Sequence, residues 1–132
     1  MSLVLDPGIH KKIAVLSKEG NELSSDHHYS EARAKYIEAI KLLPDHFSNW
    51  EAATWLLVAI GDTHFFSDNF EKMMKSFTNA VQCPAGLGNA YIHLRLGQAY
   101  FELNELDKSA DELTRAYMGG EWKFLWKMTL SI

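Results

Sequence analysis

Apolar side chains along this chain recur at intervals of three and four, in stretches of helical length separated by turn residues. Ala32, Tyr36, Ala39, Ile40 and Leu43 mark one such face before Pro44 interrupts it. No stretch sustains the alternation of a half-buried strand, so the pattern predicts an all-α fold. Asp6-Pro7 reads as an N-cap followed by proline at the first helical position, where its missing N–H costs nothing, and opens a helix running to about Ser25. A second helix starts near Tyr29. Ser48-Asn49-Trp50-Glu51 and Asp68-Asn69-Phe70-Glu71 each have the form of a capping box and predict two further helix starts. Cys83-Pro84-Ala85-Gly86 is the next stop. Asn89 opens another helix, Asn104 is expected to cap its partner with Asp107 in the capping-box place, and Gly119-Gly120 ends it. The reading is one domain over residues 1–132, made of three helix pairs (about 9–44, 48–84 and 89–118) with 121–132 as a terminal helix or tail.

The pairs share an internal spacing. Gly20 and Ala39, Gly61 and Ala80, and Gly97 and Ala116 all stand 19 residues apart. Three residues before each alanine is a large apolar group (Tyr36, Phe77, Leu113), and ten before is another (Tyr29, Phe70, Leu106). Small residues suit places where helix backbones approach closely, and large ones fill the space between helices. With these residues the chain resembles the tetratricopeptide repeat (TPR) family, whose unit is a helix-turn-helix of about 34 residues. Leu96-Gly97-Gln98-Ala99-Tyr100-Phe101, Leu106-Asp107-Lys108-Ser109, Leu113 and Ala116 follow the family pattern closely. The second unit is looser: His64 stands where the family prefers Tyr, and Met73 where it prefers a small residue, which predicts wider helix spacing there. Successive units lie 41 and 36 residues apart, about seven and about two beyond the family period. Trp50 to Asp62, His93 to Gln98 and Arg115 to Gly119 further resemble a bacterial subgroup of small, irregular repeat proteins, some of which accompany secreted toxins as immunity partners.

The resemblance implies a short right-handed α-α superhelix whose leading helices line a concave, ligand-contacting face. On that face the candidate partner-binding residues are Trp55, Asp62, Phe65, Tyr91, Arg95, Gln98 and Phe101, beside Phe66, Leu94 and Glu102. The first leading helix offers Ala14, Ser17, Asn21 and Ser24. Aromatics mixed with polar groups would hold a peptide or helix by apolar anchors, with the polar groups fixing its register. The competing reading packs the same aromatics between helices. One TPR subset clamps a peptide's terminal carboxylate with Lys, Asn and Arg. Asn21 fits that set, but Asp62 at the corresponding place in the second unit would repel a carboxylate, so a basic or amide-bearing partner is expected.

Charge and composition narrow the function classes. Thirteen Lys and Arg against 17 Asp and Glu give a net charge of -4, without the basic stripe that nucleic-acid phosphates require. The longest apolar-rich run, Ala52 to Ile60, is too short to span a membrane, and the amino end lacks the charge order of a secretory signal. No nucleic-acid or membrane partner is expected, and the location expected is cytoplasmic. A single cysteine, Cys83, can make no internal disulfide. Next to Pro84, with no histidine near it in sequence, it reads as a small apolar filler rather than a nucleophile. The six histidines show no metal-ligand spacing, and no metal, cofactor or catalytic residue is predicted. The function expected is a non-enzymatic protein-protein interaction module, a scaffold or adaptor. The alternatives are an immunity protein that neutralises a bacterial toxin and, third, a hydrolytic enzyme using Cys83 or a carboxylate pair. In the tail, the apolar run around Trp122, Phe124 and Trp126 has two readings, packing on the third pair or a homodimer contact.

Overall fold

The computed structural model describes residues 4–119. Six α-helices and no strand are present among them: α1 (Pro7–Ser25), α2 (Tyr29–Lys41), α3 (Glu51–Phe66), α4 (Phe70–Val81), α5 (Ala90–Glu102) and α6 (Leu106–Gly119), with a short 3-10 turn at Phe47–Asn49 before α3. Packing is densest between α1 and α2, α3 and α4, and α5 and α6, then between α2 and α3 and between α4 and α5. Each pair therefore leans on the next, which is how a solenoid buries apolar faces that no pair can bury alone. Helix α3 lies between neighbours and is apolar nearly all round, burying Ala53, Leu56, Leu57, Val58 and Ile60. The tail expected at 121–132, with Trp122, Phe124 and Trp126, lies outside the described residues.

The glycine spacing has a sharper cause than close backbone approach. A Cβ on Gly20 would lie 2.6 Å from the Tyr36 ring, one on Gly61 2.5 Å from the Phe77 ring, and one on Gly97 2.6 Å from Leu113. Each glycine makes room for the large side chain sixteen residues on, and the alanine three residues later (Ala39, Ala80, Ala116) is fully buried beside it. The wider spacing expected in the second pair does not occur at this contact. Met73 is itself fully buried, and Gly61 meets Phe77 as closely as its counterparts meet their partners.

The three turns inside the pairs repeat one motif. His27, Asp68 and Asn104 have φ of 64°, 57° and 63°, in the left-handed region. The next residue's N–H returns to the carbonyl five back (His28 to Leu23, Asn69 to His64, Glu105 to Tyr100), and the left-handed residue's own N–H to the carbonyl three back. These are Schellman closures that satisfy the last carbonyls of α1, α3 and α5. They correct two expected caps: Asp68 and Asn104 close the preceding helix instead of opening the next. Asn69 caps α4 by accepting from Lys72 N at 3.3 Å, and α6 begins only at Leu106. At the start of α3 the expected Ser48 capping box is absent too. Ser48 is inside the 3-10 turn, and Trp50, with extended backbone and no side-chain cap bond, precedes the helix. Asp6 and Asn89 cap as expected, accepting from Gly8 and Ile9 and from Ile92.

Candidate binding face of the leading helices

Helices α3 and α5 bring five of the seven candidate residues into one cluster. Tyr91 donates its hydroxyl hydrogen to Asp62 Oδ2 at 2.8 Å and accepts from Arg95 Nε at 3.0 Å. Arg95 Nε also stands 3.2 Å from Asp62 Oδ1, and its Nη1 donates to Gln98 Oε1 at 2.9 Å. The guanidinium lies over the Phe65 ring, 4.3 Å from its centroid, and 5.1 Å from that of Tyr91. Spacing along α5 explains half of this, since Tyr91, Arg95 and Gln98 follow one another at four and three residues on one face. The other half is the joint between the second and third pairs, which sets Asp62 and Phe65 of α3 opposite that face.

The cluster's charges are spent internally. Asp62 has its carboxyl pushed up from the usual range by burial, an effect that the Arg95 charge and the Tyr91 hydroxyl only partly offset. The Tyr91 phenol is pushed up to about 12 by burial and then by Asp62. Asp62 Oδ1 is buried without a hydrogen bond, because the Arg95 Nε hydrogen is directed at Tyr91. The expectation that Asp62 attracts a basic partner is thus corrected: its cation is Arg95. Arg95 and Gln98, 8% and 4% exposed, are cluster members rather than open contacts.

The remaining candidates face solvent. Trp55 is 45% exposed and Phe101 55%, and neither belongs to the cluster. Phe66, 51% exposed, stacks on Tyr29 with centroids 5.5 Å apart and touches Phe65 at 5.3 Å. Packing between helices therefore accounts for Phe65 and for one face of Phe66, but not for Trp55 and Phe101.

Trp55 is also the wall between two cavities at the first joint. One, of about 230 Å³, is lined by Ile13, Ser17, Asn21, Tyr36, Ala52, Trp55, Leu56 and Ala59, and the Tyr36 hydroxyl donates to Asn21 Oδ1 at 2.6 Å beside it. The other, of about 480 Å³, is bounded by Leu5, His10, Trp50, Glu51 and Trp55. Trp50, His10 and Glu51 were not among the candidate contacts. The residues in excess of the repeat period before Trp50 were the only signal, and they did not say which way that indole faces.

Other chemistry is weak. His93 accepts from Gly88 N at Nε2 (3.1 Å), so its Nδ1 carries the hydrogen that is donated to Glu112 at 2.6 Å. His64 is buried with Nδ1 unpartnered, and burial, then the charges of Arg33 and Lys72, bring it down to about 4. Among the described residues no three His, Cys, Asp or Glu side chains gather as a metal site. Cys83 is buried, its thiol is pushed up by desolvation, and it donates to the Asn79 carbonyl at 3.4 Å, the opposite of an activated nucleophile. No helix among the described residues is long and apolar enough to cross a membrane.

No family model matches the chain, and no curated protein does. Solved structures do. The second TPR of Spaghetti (RPAP3), bound to the HSP90 peptide SRMEEVD, is similar with a TM-score of 0.71 at 16% identity, over 83% of this chain and 93% of that one. The first TPR of the same protein, with the same peptide, gives 0.71 at 20% identity over 92% and 93%. The C-terminal TPR-containing domain of a Plasmodium falciparum FK506-binding protein gives 0.74 at 17% identity over 86% and 80%. With its three glycine-to-large-residue contacts and its sequentially packed pairs, the chain has the fold of a tetratricopeptide-repeat domain.

Proposed function

We propose that this chain is a protein-interaction module that holds a peptide or helix along the concave face formed by α1, α3 and α5, as a scaffold or adaptor. The observation that carries the reading is the exposure of Trp55, Phe66 and Phe101 on leading helices, on either side of a polar cluster whose charges are already paired. Exposed aromatics beside cavities are the usual anchors of such interfaces, and a neutralised cluster adds register without demanding a charged partner. The similar RPAP3 domains hold an acidic peptide. In this chain Asp62 occupies Arg95 at the second joint, so an acidic tail gains no open cation there. This favours an amphipathic segment over an acidic tail. Cys83 is buried with its thiol pushed up, so the hydrolytic alternative gains nothing from that residue.

A photoreactive benzoylphenylalanine placed at position 66 or 101 tests this in cells of the source organism. Covalent adducts should form from these positions and not from Lys75 on α4 or Arg115 on α6, both exposed on trailing helices. Mass spectrometry of the adduct then separates an adaptor's client from a toxin. Equal adducts from all four positions, or adducts from α4 and α6 alone, would remove the groove assignment.

A further inference from the structure

The cleft between the amino ends of α1 and α3 has no role in the cluster described above. Its walls are apolar and aromatic: Leu5, Trp50, Ala52 and the half-exposed Trp55. Its polar groups are His10 on α1 and Glu51 in the first turn of α3, both exposed. Glu51 makes no ion pair among the described residues, in contrast to Asp62. The 3-10 turn at Phe47–Asn49 and the extended backbone of Trp50 build this cleft, in the stretch where the first joint exceeds the repeat period.

We infer that this cleft is a binding site for a cationic side chain, an arginine or lysine, projecting from the partner segment held on the concave face. Three features select that occupant. Indole faces attract a guanidinium or ammonium through the ring quadrupole. Leu5 and Ala52 suit the aliphatic stem that carries such a head group, because long cationic side chains lay their methylenes on apolar surface. Glu51 supplies the countercharge at the rim, and the chain's net charge of -4 acts in the same direction. An acidic residue would meet Glu51 and no lysine or arginine among the lining residues. A purely apolar residue would gain the indoles but leave the Glu51 carboxylate without a cation. The volume of about 480 Å³ exceeds what one arginine side chain fills, so the cleft admits the residue together with its flanking backbone.

The inference rests on the concave face being a protein-binding surface, but small probes test it without any partner, so the two ideas fail separately. N-acetyl-arginine amide and its neutral isostere N-acetyl-citrulline amide are titrated into the 15N-labelled protein, following the four indole N–H signals. Trp50→Phe and Trp55→Phe assign two of them, and the backbone amides of α6 report non-specific association. The arginine probe should move the Trp50 and Trp55 signals saturably and the citrulline probe much less. Glu51→Gln, a solvent-exposed change that leaves the fold intact, should weaken the arginine response about threefold to fivefold. Equal responses to both probes, an unchanged response in Glu51→Gln, shifts shared equally by the α6 amides, or no shift would each overturn the assignment.

Discussion

Arg95 on α5 stands with its Nε 3.2 Å from Asp62 Oδ1 on α3, across the joint between the second and third helix pairs, and both side chains are more than half buried. The contact is a seam of the solenoid as much as a feature of the proposed binding face. Removing either partner has unequal effects. Arg95→Ala strips the guanidinium from the Phe65 and Tyr91 rings and leaves a desolvated carboxylate, and should cost about 3 kcal/mol. Asp62→Asn should cost about 1 kcal/mol, because burial already disfavours the charged carboxylate and the amide can still accept from Tyr91. Urea unfolding of both variants measures the difference. An Asp62→Asn loss as large as that of Arg95→Ala would contradict the ordering.

His64 makes stability depend on pH. Its folded-state value of about 4 lies below the ordinary 6.5, so as pH falls the unfolded chain takes up this proton first. The stability associated with the neutral buried ring is complete above about pH 6.5 and is lost progressively down to about pH 4. His64→Leu removes both the titration and the unpartnered Nδ1. Unfolding free energies of wild type and variant, measured between pH 7 and 4, should therefore diverge on acidification, with wild type losing more. Parallel curves would show that the imidazole is not protected from protons in the fold.

Gly61 and Phe77 form one of three equally close repeat contacts. Gly61→Ala forces the Phe77 ring out of its place and should cost about 2 kcal/mol. Gly97→Ala should cost less, because Leu113 is a flexible side chain and is only half buried. A second-site Phe77→Leu should recover part of the Gly61→Ala loss in a double-mutant cycle. Additive losses would mean that the ring is not what the glycine accommodates.

Asp68 carries a left-handed backbone, with φ of 57°, at the closure of α3. Glycine adopts that conformation freely, so Asp68→Gly should raise stability by about 0.5–1 kcal/mol in thermal unfolding. A loss would show that the carboxylate contributes something at this turn beyond backbone geometry.

The helix pairs were legible in the sequence because their signals are local. Gly20, Gly61 and Gly97 announce the contacts with Tyr36, Phe77 and Leu113, and the stops at Pro44 and Pro84 divide the pairs. The caps were less legible, because Asp68 and Asn104 have the side chains of N-caps yet stand where a left-handed residue must close the helix before. On the binding face, the sequence pattern assigned Asp62 and Arg95 to one surface. It did not reveal that they neutralise each other, since that depends on how α3 and α5 meet across 33 residues of chain. Trp50 was hidden for a similar reason: its role follows from the 3-10 turn that delivers it, and no periodicity marks such a turn.

The proposed function requires partner binding to run through exposed aromatics of the leading helices. Isothermal titration of the cross-linked partner, produced separately, against wild type and Trp55→Ala/Phe101→Ala tests it most directly, with urea unfolding run beside it. Both residues are about half exposed and outside the core, so the variant should unfold near the wild-type midpoint while its affinity falls by at least about thirtyfold. Unchanged affinity in a protein of native stability would contradict the account.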